Sequence, residues 1–179
     1  MKKIHRLFWL WEYDKEEKWL NNMSAKGLQL CGVSFMTYYF EEGAPGEYIY
    51  RMEMLKKYPA HADSAEYIRF VEDTGAELIG SLLRWVYFRK KAGAEGFEIL
   101  SDLGSRVGML NRILFLTGLI SLTNFLNGLN LLRRWYTGET GFGLFVPILC
   151  LSLGLVVGYG FLVILKKKLK LDKERVIHE

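Results

Sequence analysis

ILFLTGLISLTNFLNGLNLL, residues 113–132, and TGFGLFVPILCLSLGLVVGYGFLVIL, residues 140–165, contain no charged side chain; Arg112 and Arg133 bound the first, Glu139 and Lys166 the second. A helix needs about 20 apolar residues to cross the hydrocarbon of a bilayer, and both stretches reach that length. The chain is therefore expected to end in a transmembrane hairpin. Its parts are a juxtamembrane helix over 101–112, spans over 113–132 and 141–165, a short external loop over 133–140, and a basic tail over 166–179. Residues 1–100 remain to fold as a separate domain.

Charge divides the chain at the same place. Residues 1–105 carry 14 Lys and Arg against 16 Asp and Glu, net −2, whereas residues 106–179 carry 10 against 4, net +6. A domain that grips nucleic acid needs its positive charge on the folded module. The folded module here is slightly acidic, so DNA or RNA is not an expected partner. Lys and Arg beside a span are retained in the cytoplasm. Arg106 and Arg112 precede the first span and Lys166, Lys167, Lys168, Lys170, Lys173 and Arg175 follow the second, against Arg133 and Arg134 in the loop. Both termini are thus predicted to be cytoplasmic in an inner-membrane, multi-pass protein. The apolar run after Met1-Lys2-Lys3 is broken by Glu12, Asp14 and Lys15, which argues against a cleavable signal peptide. Cys31 and Cys150 have no plausible partner and fit a reducing compartment.

The first hundred residues read as a duplication. Asp14-Lys-Glu-Glu17 and Asp63-Ser-Ala-Glu66 each match the capping box that opens a helix. The first helix would place Trp19, Leu20 and Met23 on one face, the second Tyr67, Ile68, Phe70 and Val71, and Gly27 and Gly75 would end them in left-handed caps. At a spacing of 48 the match continues through Leu30 and Leu78, Gly32 and Gly80, Tyr39 and Tyr87, and Phe40 and Phe88. Strands are predicted before each helix, His5 to Glu12 and Glu47 to Leu55, the latter alternating Tyr48, Tyr50, Met52 and Met54 with a wet face of Glu47, Ile49, Arg51 and Glu53. Hairpins are predicted after each helix, at 28–33 with 36–41 and at 77–81 with 83–90, and Gly43-Ala-Pro-Gly46 turns between the copies. The expected fold is α+β: a duplicated β-α-β-β domain with a mostly antiparallel sheet, two such units normally sharing one sheet with helices on one side, followed by the two-helix hairpin. Ser101 or Asp102 would cap a helix running straight into the first span, a stiff joint after the stretch Gly93 to Gly96.

Glu17-Lys-Trp-Leu20, Lys26-Gly27-Leu28, Gly43-Ala-Pro-Gly-Glu-Tyr-Ile-Tyr-Arg51 and Arg84-Trp-Val-Tyr-Phe-Arg-Lys90 together resemble the DUF2812 family. These are bacterial membrane-anchored proteins of unknown function in which an aromatic-rich domain precedes a pair of spans, often encoded beside PadR-type transcriptional repressors. The resemblance covers about residues 1–110, and it implies a regulatory setting and no catalytic residues. The duplicated β-α-β-β pattern is also similar, as architecture alone, to GyrI-like effector-binding domains, which hold amphipathic or cationic compounds between their halves with aromatics and a buried carboxylate.

Chemical signatures are sparse. His5, His61 and His178 fall in separate settings, no HExxH or CxxC spacing occurs, and neither a nucleophile elbow nor a phosphate-cradling glycine loop is present. The chain reads as a non-enzyme without metal or cofactor. Aromatics are the stronger signal, with Trp9, Trp11, Tyr38, Tyr39, Tyr48, Tyr50, Trp85 and Tyr87 all on predicted strands. They serve either as a packed sheet face or as a surface for an amphipathic ligand or a partner protein, with Tyr48, Tyr50, Arg51, Trp85 and Tyr87 as the candidate binding residues and Glu47, Glu53, Arg84 or Arg89 as further orienting groups. In the membrane part, Asn124, Asn127 and Asn130 form a polar stripe that should face protein, and Gly154 and Gly158 a close-packing face. Either could pack the chain's own helices, a second copy or another membrane protein. The expected function is a membrane-anchored sensor or regulator that binds a ligand or a cytoplasmic regulator protein. The alternative is an accessory subunit of a membrane transporter or complex.

Overall fold

The computed structural model describes residues 1–93, 97, 103–139 and 143–178, with no side-chain description for 103–105 and 174–178. The expected caps Ser101 and Asp102 and most of the stretch Gly93 to Gly96 lie outside the described residues. The chain forms two compact units, Met1–Ser105 and Arg106–Glu179.

The first unit contains β1 (Lys2–His5), α1 (Tyr13–Ala25), β2 (Leu28–Ser34), β3 (Thr37–Glu42), β4 (Tyr48–Met54), α2 (Ala62–Asp73), β5 (Glu77–Leu82) and β6 (Trp85–Lys91). The strands fall into two three-stranded antiparallel sheets, β1-β3-β2 and β4-β6-β5, rather than the one shared sheet that two such units normally make. Both sheets put the third strand of their β-α-β-β unit in the middle. Register slips at Leu30/Gly32 in one and at Leu78/Gly80 in the other, so the sequence match at a spacing of 48 reappears as the same bulge in the same place. Gly27 and Gly75, at φ +80° and +85°, end the two helices in the left-handed conformation that glycine adopts without penalty. The equivalent strands β2 and β5 meet so closely that a Cβ on Gly80 would lie 3.1 Å from Val33 Cγ2.

Each helix covers one hydrophobic face. From α1, Leu20 and Met23 are buried, as are Leu30 and Phe40 of the first sheet and Tyr50 of β4. From α2, Ile68 and Val71 close a second core with Val86, Phe88, Leu55 and Phe97 on the other side of the second sheet. α1 also seals the outer edge of β4. Ser24 Oγ donates to Tyr48 O (2.6 Å), the Asn21 amide donates to Tyr50 O (3.0 Å) and accepts from Tyr50 N (2.9 Å), and Glu17 Oε2 accepts from Met52 N (2.9 Å). Helical residues three and four apart thus satisfy alternate residues of an edge that would otherwise present unpaired backbone groups.

Four expectations are corrected. The segment His5 to Glu12 is not one strand: β1 stops at His5, and Leu10–Glu12 forms a 3-10 turn that carries the chain into α1, so Trp9 and Trp11 lie off the sheet. That turn also starts α1 two residues early. Asp14 therefore sits inside its first turn with Glu12 at the cap, and Glu17 points to β4 instead of back to a cap. At α2 the cap is His61, whose Nδ1 accepts from Asp63 N (3.3 Å), while Asp63 pairs with Lys57 (2.7 Å). The wet face expected on β4 is covered by α2: Glu53 is buried with Tyr67 Oη donating to it at 2.6 Å, and Phe70 is the α2 aromatic left exposed.

The second unit holds α3 (Leu103–Tyr136) from Arg106 onward and α4 (Phe145–His178), and the portions Arg106–Tyr136 and Phe145–Lys173 are long and apolar enough to cross a membrane. They contact each other through small residues. Ser121 Oγ donates to Gly154 O (2.8 Å), a Cβ on Gly154 would lie 3.0 Å from Phe125 N, and one on Gly158 would lie 2.9 Å from Ser121 Oγ.

Candidate functional site: an aromatic cleft with a buried carboxylate

The tips of the two equivalent hairpins, β2–β3 and β5–β6, and the segment leading into α1 together bound a cleft of about 430 Å³. Arg6, Leu7, Phe8, Trp9 and Leu10 come from that segment, Phe35 and Met36 from one tip, and Leu82 and Leu83 from the other. Tyr13 and Glu16 of α1, Tyr38 of β3, and Trp85 and Tyr87 of β6 complete it. The tips are two-residue turns built without glycine, and Met36 and Leu83 hold positive φ, +55° and +57°. That conformation costs a non-glycine residue on the order of 1–2 kcal/mol. It also leaves Phe35 and Leu83 more than 70% exposed at the mouth, 73% and 72%, where water would exclude them.

Aromatic pairs shape the walls. Tyr13 stacks on Trp85 with ring centres 5.8 Å apart, Trp9 stacks on buried Trp11 at 5.0 Å, and Trp19 meets Tyr38 edge-on at 4.8 Å. The Arg6 guanidinium lies over the rings of Phe8 (4.8 Å) and Trp19 (5.1 Å).

Glu16 contributes a carboxylate to the lining of this cleft and is only 8% exposed. Tyr38 Oη donates to its Oε1 at 2.6 Å and Tyr87 Oη donates to the same oxygen at 2.8 Å. Among the described residues Oε2 takes no hydrogen bond and Glu16 has no ion-pair partner. Burial pushes the Glu16 carboxyl above the ordinary carboxylate value, against the opposing pull of the two tyrosine hydrogen bonds. Burial and the adjoining carboxylate also raise both tyrosines, so their hydroxyls remain protonated donors.

The five residues singled out from sequence do share a face in part, but only two reach the cleft. In the β4–β6 register Tyr50 opposes Arg89, Met52 opposes Tyr87 and Met54 opposes Trp85, so these residues lie along one side of the second sheet. Trp85 and Tyr87 occupy the end that opens into the cleft. Tyr50 is wholly buried, its hydroxyl accepting from Leu30 N at 2.8 Å and donating to Gln29 Oε1 at 3.2 Å. Tyr48 lies beyond it, half-buried under the Arg89 guanidinium (4.2 Å). Arg51 points to the other side and donates to Phe97 O (2.9 Å) and Glu17 (3.3 Å). The proposed orienting groups are engaged elsewhere: Arg84 with Leu55 O, Arg89 with Glu77, Glu53 with Tyr67 and Glu47 with Ala44 N.

Sequence reasoning missed Glu16. A signal was available, because Glu16, Leu20 and Met23 fall at i, i+4 and i+7 and so place one carboxylate on the apolar stripe of α1.

In the second unit, Gly154 and Gly158 pack against α3 as described. Asn124 turns back to donate to Ile120 O (2.8 Å), while Asn127 and Asn130 are exposed and take no side-chain hydrogen bond among the described residues.

No curated protein and no solved structure matches this chain. A family model does, over residues 12–122, from the start of α1 to the middle of α3. The chain belongs to that family, DUF2812, described as a protein of unknown function.

Proposed function

We propose that this protein is a membrane-anchored sensor or regulator whose folded domain binds an amphipathic small molecule in the cleft between its two repeats. The observation that carries this reading is the cleft itself: about 430 Å³, walled by aromatic and aliphatic side chains, with one buried carboxylate in its lining. Ligand sites combine these properties, an apolar concave wall and a few converging polar groups. The mouth also joins equivalent hairpins of the two repeats, so an occupant would touch both halves and could alter how they meet.

In this reading α3 and α4 form a hairpin in the inner membrane with both termini in the cytoplasm, as the Lys and Arg distribution predicts. The bound state would be read by a cytoplasmic regulator protein, in keeping with the family's resemblance-based association with PadR-type repressors. The slightly acidic domain argues against direct contact with nucleic acid. A second reading, an accessory subunit of a membrane complex, draws support from Asn127 and Asn130: bare amides in hydrocarbon are costly, and a neighbouring helix or a second copy would pair them.

The test is a titration of the full chain in lipid nanodiscs with a panel of alkylated aromatic compounds, followed by tryptophan emission. Saturable changes in the wild type that weaken at least tenfold in Phe35→Asp, with the urea midpoint unchanged, support the reading. A panel without any saturable change, or one on which Phe35→Asp has no effect, would remove the cleft as a binding site.

A further inference from the structure

We propose that the ligand of this cleft is a lipophilic organic cation, its charge held at Glu16 Oε2 and its apolar body between the Tyr13–Trp85 stack and the hairpin tips. The proposal rests on the binding reading above and adds the chemistry of the occupant.

Glu16 is the reason. A buried group whose only task was to accept from Tyr38 and Tyr87 would do so as well with a glutamine amide oxygen, and without the cost of placing a carboxylate in an apolar site. Both hydroxyls donate to Oε1, so Oε2 is the oxygen left free, in a side chain that lines the cleft and is 8% exposed. A neutral donor could bond Oε2 yet leave the charge uncompensated, whereas a cation supplies both.

The walls suit the same species. Faces of Trp and Tyr attract organic cations, because the ring quadrupole puts negative charge on the face. The nearest protein cation in the lining, Arg6, is spread over Phe8 and Trp19. A bare metal ion fits poorly, since hard cations require six or more oxygen ligands and no group of three or more His, Cys, Asp or Glu is assembled among the described residues. An anion would meet the carboxylate directly.

Protonation gives an independent handle. The charged or titratable groups lining the cleft with Glu16 are Arg6 from the segment after β1, Tyr13 from α1, Tyr38 from β3 and Tyr87 from β6. Burial and the carboxylate hold the Tyr38 and Tyr87 hydroxyls protonated through the range in which a carboxyl titrates, so acidification neutralises Glu16 between them. A bound cation would pull its proton off, and affinity would rise with pH until Glu16 is fully ionised.

The experiment uses the full chain in phosphatidylcholine nanodiscs and a matched pair of probes: trimethyl(2-naphthylmethyl)ammonium and its neutral carbon isostere 2-neopentylnaphthalene. Binding is read by equilibrium dialysis with empty nanodiscs subtracted. The expected result is at least a tenfold preference for the cation, erased by Glu16→Gln and reduced in the wild type as pH falls. Near-UV circular dichroism checks that the aromatic packing of the variant is intact, and the pH series tests the idea without any substitution. Equal binding of the two probes, independent of pH and of Glu16→Gln, would overturn the cation and leave a cleft for neutral amphiphiles. Binding of neither would overturn the cleft as a ligand site and the cation with it.

Discussion

Replacing Asn21 by Ala removes the clamp that holds α1 along the edge of β4. Its amide makes the only side-chain hydrogen bonds to Tyr50 N and Tyr50 O found among the described residues besides that of Arg51 to the same carbonyl (3.1 Å). Two bonds at about 1 kcal/mol each are lost, and the Tyr50 N–H is left without a partner beside a buried side chain, which adds about 1–2 kcal/mol. The expected destabilisation is about 3 kcal/mol, a large fraction of the roughly 5–15 kcal/mol available to a domain. For about 100 residues that lowers the melting temperature by roughly 10–25 °C. The control is Asn22→Ala, next door and exposed, expected to change stability by less than about 0.5 kcal/mol. Urea unfolding of the full chain in nanodiscs measures both, since Trp9, Trp11, Trp19 and Trp85 report on the first unit and only Trp135 on the second. Equal midpoints for the two variants would refute the clamp. It would also remove the reason why α1 presents Glu16 at the cleft, because residues 17, 21 and 24 fix the helix on one side and residues 16, 20 and 23 face inward as a result.

Three further outcomes follow from named contacts. Because the folded protein holds the Glu16 proton more tightly than the unfolded chain, stability should be greatest below the unfolded carboxyl value, fall as pH rises through the raised folded value, and then level; Glu16→Gln should flatten that slope in urea midpoints measured across pH. His61→Ala should lower stability by more than Asp14→Ala, which removes no cap, and the reverse order would contradict the helix starts described here. A reporter fused after Glu179 should be active in the cytoplasm and one inserted near Gly138 outside it; the opposite pattern would put the cleft outside the cell and end the case for a cytoplasmic partner.

The parts of the fold written in local pattern were legible in the sequence. Alternation marked β4, Gly43-Ala-Pro-Gly46 marked the turn between the copies, and Gly27 and Gly75 marked the helix ends because each of these depends on a few consecutive residues. The repeat was readable for the same reason, and it reappears as matching sheet orders and matching bulges. What escaped depends on distant partners. Trp9 and Trp11 have the composition of a strand, yet a 3-10 turn takes them off the sheet and stacks them together. Glu53 looked solvated because α2, which covers it, lies on the far side of a loop. Glu16 sits in the run Asp14-Lys-Glu-Glu-Lys18, which reads as a wet helix surface, and its burial is created by tyrosines 22 and 71 residues away. The aromatic face was recognised as a unit, but which end of it opens depends on how two hairpin tips meet, and no local pattern encodes that.

Photolabelling tests the central claim most directly. A diazirine-bearing aromatic ammonium compound is bound to the full chain in nanodiscs, irradiated, and mapped by peptide mass spectrometry with and without excess unlabelled compound. The account predicts labels that are competed away at Leu7, Trp9, Phe35, Met36, Leu83 and Trp85, residues far apart in sequence that meet only at the mouth and wall of the cleft. Competed labels confined to α3 and α4, or centred on exposed residues remote from the cleft such as Phe70, would contradict it.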